Sequence, residues 1–300
     1  MANIHILGEG AIGLLLAQHL SQSHQITLIT RNKRAATYRY QTASIQQTIP
    51  CSTKTLAELP ANSIDTLIIP VKAYQVIEAL RALRPALSKN GTLILSHNGM
   101  VDWSGELAAL EKTQSAYFLS TSIAGYKVAD TVHHTGQGAT WFGPLNAPAE
   151  CHYQRVFSQL FSTFDNAQTT FDIMPTLWKK LAVNIAINPL SALEQVANGQ
   201  LRQPKYAAQI LNLMNEVQLV ATSTGVNLAL SELVTLAYTV MAQTANNRSS
   251  MNQDITNNRR TEIDAMCGYI CELAAKQNID VPFNQQLLEE VNKRWQLARQ

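Results

Sequence analysis

The chain has 300 residues, 46% of them hydrophobic and 15% charged, with a formal net charge of +2, which is a globular composition with room for one large domain or two ordinary ones. So near-neutral a balance, with no run of Lys and Arg, gives no electrostatic footprint for nucleic acid or an acidic membrane surface. No apolar run approaches the ~20 residues that span a bilayer, and MANIHILGEGAIG opens without a basic, cleavable leader, so a cytoplasmic, non-membrane protein is the expectation.

NIHIL at 3–7 reads as a strand, AIGLLLAQHL at 11–20 as a helix and QITLIT at 25–30 as a second strand; DTLIIPV, GTLILS and AYFLST follow at intervals. Short β-branched runs alternating with helical stretches argue for βαβ units around a parallel sheet. DTVHHTGQGATWFGP breaks the alternation and reads as an antiparallel hairpin, with His133 and His134 in a solvated turn beside Gly136 and Gly138. After TTFDIMP at 169–175 almost every segment has helical period. The expected architecture is α/β: a Rossmann-type dinucleotide-binding domain over 1–170, followed by an all-α domain over 171–300. Pro175 and Pro282 suit positions just inside helix starts, and Pro189 should end or kink its helix.

GEGAIG at 8–13 fits G-x-G-x-x-G between a strand and a helix. There Gly8, Glu9, Gly10, Ala11, Ile12 and Gly13 bring backbone N–H groups and a helix N-terminus up to a pyrophosphate. The plain alternative is a tight turn and nothing more. NAD sites usually carry an acid at the end of the second strand, but here that position is Arg31, followed by Lys33 and Arg34. A guanidinium binds a 2′-phosphate that a carboxylate repels, so NADPH is expected over NADH; the alternative is a solvated helix start.

WKKLAVNIAINPLSAL at 178–193 is apolar except for Lys180, Asn184 and Asn188. Positions four apart drift by only about 40° around a helix, so the three form one polar stripe. A buried polar group without a partner costs on the order of 1–3 kcal/mol, so the stripe needs internal partners or a ligand. On the residues alone, Lys180 could equally be a surface lysine like Lys179. Cys51, Cys151, Cys267 and Cys271 form no C-x-x-C pair and no His cluster accompanies them. They read as reduced thiols, with Cys267 and Cys271 packing one turn apart and no metal site.

GEGAIG, VKAYQV at 71–76, HNGM at 97–100, WKKLAVNIAINPLSAL with NGQL at 198–201, SSMNQDITNNRRTEID at 249–264 and VPFNQQLLEEV at the tail occur together and in order. With them the chain resembles the ketopantoate reductases (2-dehydropantoate 2-reductases), which reduce 2-dehydropantoate to (R)-pantoate with NADPH in pantothenate and coenzyme A biosynthesis. The resemblance implies that Lys180 is the general acid and Glu262 a second catalytic polar group. It places Asn98 at the cofactor–substrate junction, Asn184, Asn188 and Ser250 on the substrate's oxygens, and Lys72 and Gln75 with Arg31 around the adenosine end. The stripe would then be one wall of a cleft between the domains. It leaves a homodimer open, and implies a small 2-oxo acid as the only partner otherwise. Glu262 could instead pair with Arg259 on a helix surface, and Ser250 could only cap a helix.

Val101 stands where many relatives have Gly, and STSIAGYK at 120–127 departs from the stretch usual there; both bear on pocket shape. The rival functions are a reductase of the same fold acting on another 2-oxo acid and a non-catalytic NADP-binding sensor.

Overall fold

The computed structural model describes residues 2–32 and 37–297, so Lys33 and Arg34 lie outside the described residues. The chain divides into two compact units, Met1–His97 with Asp102–Ile173, and Asn98–Val101 with Met174–Gln300. Asn98–Val101, inside the first domain by chain order, thus packs with the helical unit.

The first unit begins β1 (Asn3–Leu7), α1 (Ala11–Leu20), β2 (Gln25–Thr30), β3 (Arg39–Gln41), β4 (Gln46–Thr48), β5 (Ser52–Thr55), β6 (Ile64–Ile69), α2 (Val76–Leu83) and β7 (Leu87–Leu95). It continues with α3 (Ser104–Ala108), β8 (Ser115–Thr121), β9 (Ala124–Val128), β10 (Thr131–Gly136), β11 (Thr140–Pro144), α4 (Ala147–Glu150), α5 (Tyr153–Phe161) and β12 (Ala167–Thr169). Six strands run parallel in the order β5-β2-β1-β6-β7-β8, with β11 antiparallel to β8 and β12 beyond it. Renumbered, that is the 3-2-1-4-5-6 order of a dinucleotide-binding fold, whose ligand sits outside the carboxyl ends of the strands where the order reverses. Here the reversal lies between β1 and β6, so the glycine loop after β1 stands at it. Helices cover the faces of such a sheet, which is why Ile4, Ile6, Leu28, Ile68 and Ile94 are all buried and the strands read as apolar runs.

DTVHHTGQGATWFGP is not a hairpin. β10 joins a separate four-stranded sheet, β4-β3-β10-β9, while β11 pairs with β8. β10 pairs with β9 before it and, in parallel, with β3 from far upstream, so the local alternation was real but its partners lay elsewhere. His133 and His134 are accordingly strand residues and half-buried. His134 hydrogen-bonds the Tyr40 hydroxyl through Nδ1 (2.7 Å) and the Gly136 carbonyl through Nε2 (3.0 Å).

The second unit is helical: α6 (Met174–Glu194), α7 (Ala207–Ser223), α8 (Leu230–Gln243), α9 (Ser250–Thr256), α10 (Cys267–Gln277) and α11 (Pro282–Leu297). Thirteen of the 21 residues of α6 are buried, on every side, which makes it the central helix of the bundle. Pro189 lies inside it and the helix continues to Glu194. Proline removes the hydrogen bond to the Ile185 carbonyl, and packing all round holds the helix together across that gap. The buried Glu216 of α7 accepts N–H bonds from Phe283 and Asn284 (both 2.9 Å) and one from Asn284 Nδ2 (2.7 Å), so its charge sits at the N-terminus of α11. Burial, with Glu216 nearby, pushes the Cys271 thiol up to about 11 and raises Cys267 well above the ordinary range. Among the described residues no group of three or more His, Cys, Asp or Glu is placed to hold a metal ion.

Candidate active site

The glycine loop is built for close approach. Gly8 has φ +87°, which favours glycine, and its N–H bonds the Ile29 carbonyl at 2.8 Å, tying the loop to β2. A Cβ on Gly13 would meet the Gly8 carbonyl oxygen at 2.9 Å and Pro70 at 3.6 Å, so helix and loop pack against each other as only glycine permits. Gly10, by contrast, faces open space, and α1 begins immediately after it with no acidic side chain in its first turn. The first N–H groups of a helix have no intrahelical partner and carry a positive partial charge, so Gly10, Ala11 and Ile12 line a cradle that fits a pyrophosphate. Arg31, directly after β2, is exposed. Lys72, just before a single 3₁₀ turn (Ala73–Gln75) after β6, and Gln75, its last residue, are half-buried at the same edge of the sheet.

The polar stripe belongs to the second unit. Lys179 leans away and pairs with Glu232 of α8 at the surface, which separates it from its neighbour. Burial pulls the Lys180 ammonium down to about 8, and the Glu262 carboxylate pulls the other way. Glu262 is only 4% exposed and precedes a 3₁₀ turn, Ile263–Ala265, so it is not on a helix surface. Arg259 pairs instead with the buried Asp254, at 3.0 Å. Asn184 is partly exposed, and Asn188 is buried with its amide directed at Met266 Sδ, 3.9 Å away. A thioether is a weak acceptor, so that amide retains capacity for a stronger partner.

Asn98 is brought to this group by the glycine that follows it. Met100 N–H bonds the Ala265 carbonyl at 2.7 Å, and a Cβ on Gly99 (φ +71°) would lie 2.3 Å from that same oxygen. The segment is therefore pinned to the turn that begins at Glu262. The structure gathers Lys180, Glu262, Asn188 and the Asn98 segment around one turn of chain; it places the cofactor-side residues Gly8–Gly13, Arg31, Lys72 and Gln75 in the other unit.

Ser250 is exposed at the first position of α9, and the cap is Ser249. Ser249 Oγ accepts from Asn252 N–H (3.1 Å) and from Ser191 Oγ (2.6 Å), while Asn252 Nδ2 donates to the Ser191 carbonyl (2.7 Å). This buried network fastens the start of α9, and with it the backbone at Ser250, to α6. Sequence reasoning missed Ser249, Ser191 and Asn252. Two adjacent serines before a helix gave a signal, but not which of the two was the cap.

The family model described as "Ketopantoate reductase PanE/ApbA" matches residues 4–147, and its C-terminal counterpart matches 172–294. A 2-dehydropantoate 2-reductase of Vibrio cholerae serotype O1 is 35% identical over 298 residues, covering 96% of each chain. A crystal structure of a PanE/ApbA family ketopantoate reductase from Ralstonia eutropha JMP134 matches with a TM-score of 0.87 at 25% identity over 100% of both chains. D-mandelate dehydrogenase with NADH and anilino(oxo)acetate matches at a TM-score of 0.91 and 20% identity over 99% of each chain, a likeness of fold alone. Two matched domains that together span most of the chain, and a relative this similar along its whole length, place the protein in the ketopantoate reductase family.

Proposed function

We infer that the protein is an NADPH-dependent 2-dehydropantoate 2-reductase, with Lys180 as its proton donor. The observation that carries the assignment of Lys180 is its place on the polar stripe of α6, half-buried and within electrostatic reach of the buried Glu262 carboxylate, where burial draws its ammonium down to about 8. A surface lysine has no such environment, and a dinucleotide sensor has no use for it.

When bound, NADPH supplies the hydride that adds to C2 of the 2-oxo acid. As that bond forms, negative charge develops on the former carbonyl oxygen. The Lys180 ammonium stabilises it electrostatically and delivers a proton to it, and the neutral amine then takes a proton back from water. Glu262 keeps the lysine charged in a site whose burial favours the amine. Asn184, Asn188 and Ser250 hydrogen-bond the substrate's oxygens, Asn98 orients the reacting end, and Gly8–Gly13 with Arg31, Lys72 and Gln75 hold the dinucleotide. Among the described residues no helix is long and apolar enough to cross a membrane; a cytoplasmic enzyme, a homodimer in solution, belongs to the same reading. Steady-state NADPH oxidation with 2-dehydropantoate, with pantoate identified as product, tests it. Absence of substrate-dependent oxidation would overturn the assignment.

A further inference from the structure

One residue of the glycine motif carries a charge that the motif does not need. Glu9 is a carboxylate inside a loop suited to phosphate, where a fixed anion repels the ligand. The turn asks for glycine at 8, 10 and 13 and asks nothing of position 9. Two other segments converge on its side chain. The Tyr38 hydroxyl, just before β3, donates to Glu9 Oε2, and Lys127 Nζ on β9 lies 3.5 Å from the same oxygen. The Lys127 ammonium also sits 5.5 Å from the centroid of the Tyr38 ring, a cation–π distance. Tyr38 is 1% exposed and so a fixed donor, whereas the side chains of Lys127 and Glu9 keep 21% and 33% of their exposure. Lys127 closes the STSIAGYK stretch at 120–127.

We propose that Lys127 is a positioning residue for dinucleotide binding: its ammonium, with the Tyr38 hydroxyl, neutralises the Glu9 carboxylate and holds it aside, so that the α1 N-terminus meets the pyrophosphate as an attractive site. The inference rests on NADPH binding at the glycine loop. It makes the role of Lys127 conditional on Glu9: remove the lysine and the carboxylate opposes the phosphates; remove both charges and the opposition goes.

Equilibrium titration of NADPH by fluorescence, with no 2-oxo acid present, reads this directly. K127M should weaken NADPH binding by about tenfold, corresponding to ~1.4 kcal/mol, but by less than about threefold when introduced into E9Q, a coupling within the usual range for contacting residues. K127R keeps the charge and should bind within about threefold of the unmodified protein; K127Q serves the same comparison if K127M does not fold. Equal losses in both backgrounds would mean that Lys127 touches phosphate itself or only packs, and would overturn the inference. So would a K127R protein as weak as K127M, or no loss in K127M. If the unmodified protein fails to bind NADPH, the proposed function falls and this inference with it; tight binding by the unmodified protein with uncoupled variants sinks this inference alone.

Discussion

Glu262 opposes burial at Lys180. Desolvation lowers the lysine to about 8 and the carboxylate raises it, so the ammonium is poised inside the working pH range. On the proposed mechanism, reduction needs the protonated lysine. Its kcat/KM should be level below pH ~8 and fall above it, while the reverse oxidation of pantoate should rise through the same region. Glu262→Gln removes the raising influence, so the alkaline limb should move to lower pH. A limb that stays in place or moves to higher pH would contradict the pairing.

The same shift bears on stability. The folded-state value of Lys180 lies below its ordinary 10.5, so between pH ~8 and ~10.5 the unfolded chain binds the extra proton, and this residue's contribution to stability rises with pH. Below pH ~8 both states are protonated and the contribution is constant at its least favourable. Relative to the unmodified protein, Lys180→Met should therefore flatten the pH dependence of the unfolding free energy between pH 8 and 10, measured by urea titration. An unchanged slope difference would show that the ammonium is solvated.

Adjacent lysines should behave in opposite ways. Lys180→Ala should lower kcat by roughly 10²–10⁴-fold, the usual span for general acid–base catalysis, with NADPH affinity kept. Lys179→Ala breaks only a surface pair with Glu232 and should leave turnover intact. Near-normal turnover in Lys180→Ala would assign the proton to another group.

On the proposed reading, cofactor choice rests on Arg31. A charge-assisted hydrogen bond is worth ~1.5–3 kcal/mol, so Arg31→Ala should reduce the NADPH-over-NADH preference in kcat/KM by roughly ten- to a hundredfold. Equal losses with both cofactors would remove Arg31 from the 2′-phosphate.

Much of the first unit was legible because its signals are local. Gly8, Gly10 and Gly13 between a strand and a helix, and the apolar parallel strands, follow from backbone geometry and two-sided burial. The small sheet was not legible: Arg39–Gln41 and Gln46–Thr48 are short and polar, and β10 finds β3 across some ninety residues of sequence. No local period reports such a pairing. In the helical unit the spacing of Lys180, Asn184 and Asn188 announced a polar stripe, and turn geometry carries the rest. Gly99 against Ala265, Ser249 rather than Ser250 as the cap, and Arg259 with Asp254 rather than Glu262 all depend on which neighbour the fold supplies. Pro189 read as an end or a kink; the helix does not end there, because local rules omit the packing that carries α6 past it.

Substrate identity is where the proposed enzyme is most exposed to disproof. Asn184 and Asn188 follow Lys180 at one-turn intervals on α6, where they can reach the far end of an acid whose carbonyl sits at the lysine. 2-Dehydropantoate carries a terminal hydroxyl there and 2-oxoisovalerate does not; a site built to bond a hydroxyl disfavours the analogue that leaves its own polar groups unpaired. The decisive measurement is kcat/KM for these two acids with NADPH, on the unmodified enzyme and on Asn184→Ala. The prediction is a preference for 2-dehydropantoate of at least ~10²-fold that narrows in the variant. An unmodified enzyme that reduces 2-oxoisovalerate equally well or better would contradict the substrate assignment and leave a reductase of another 2-oxo acid.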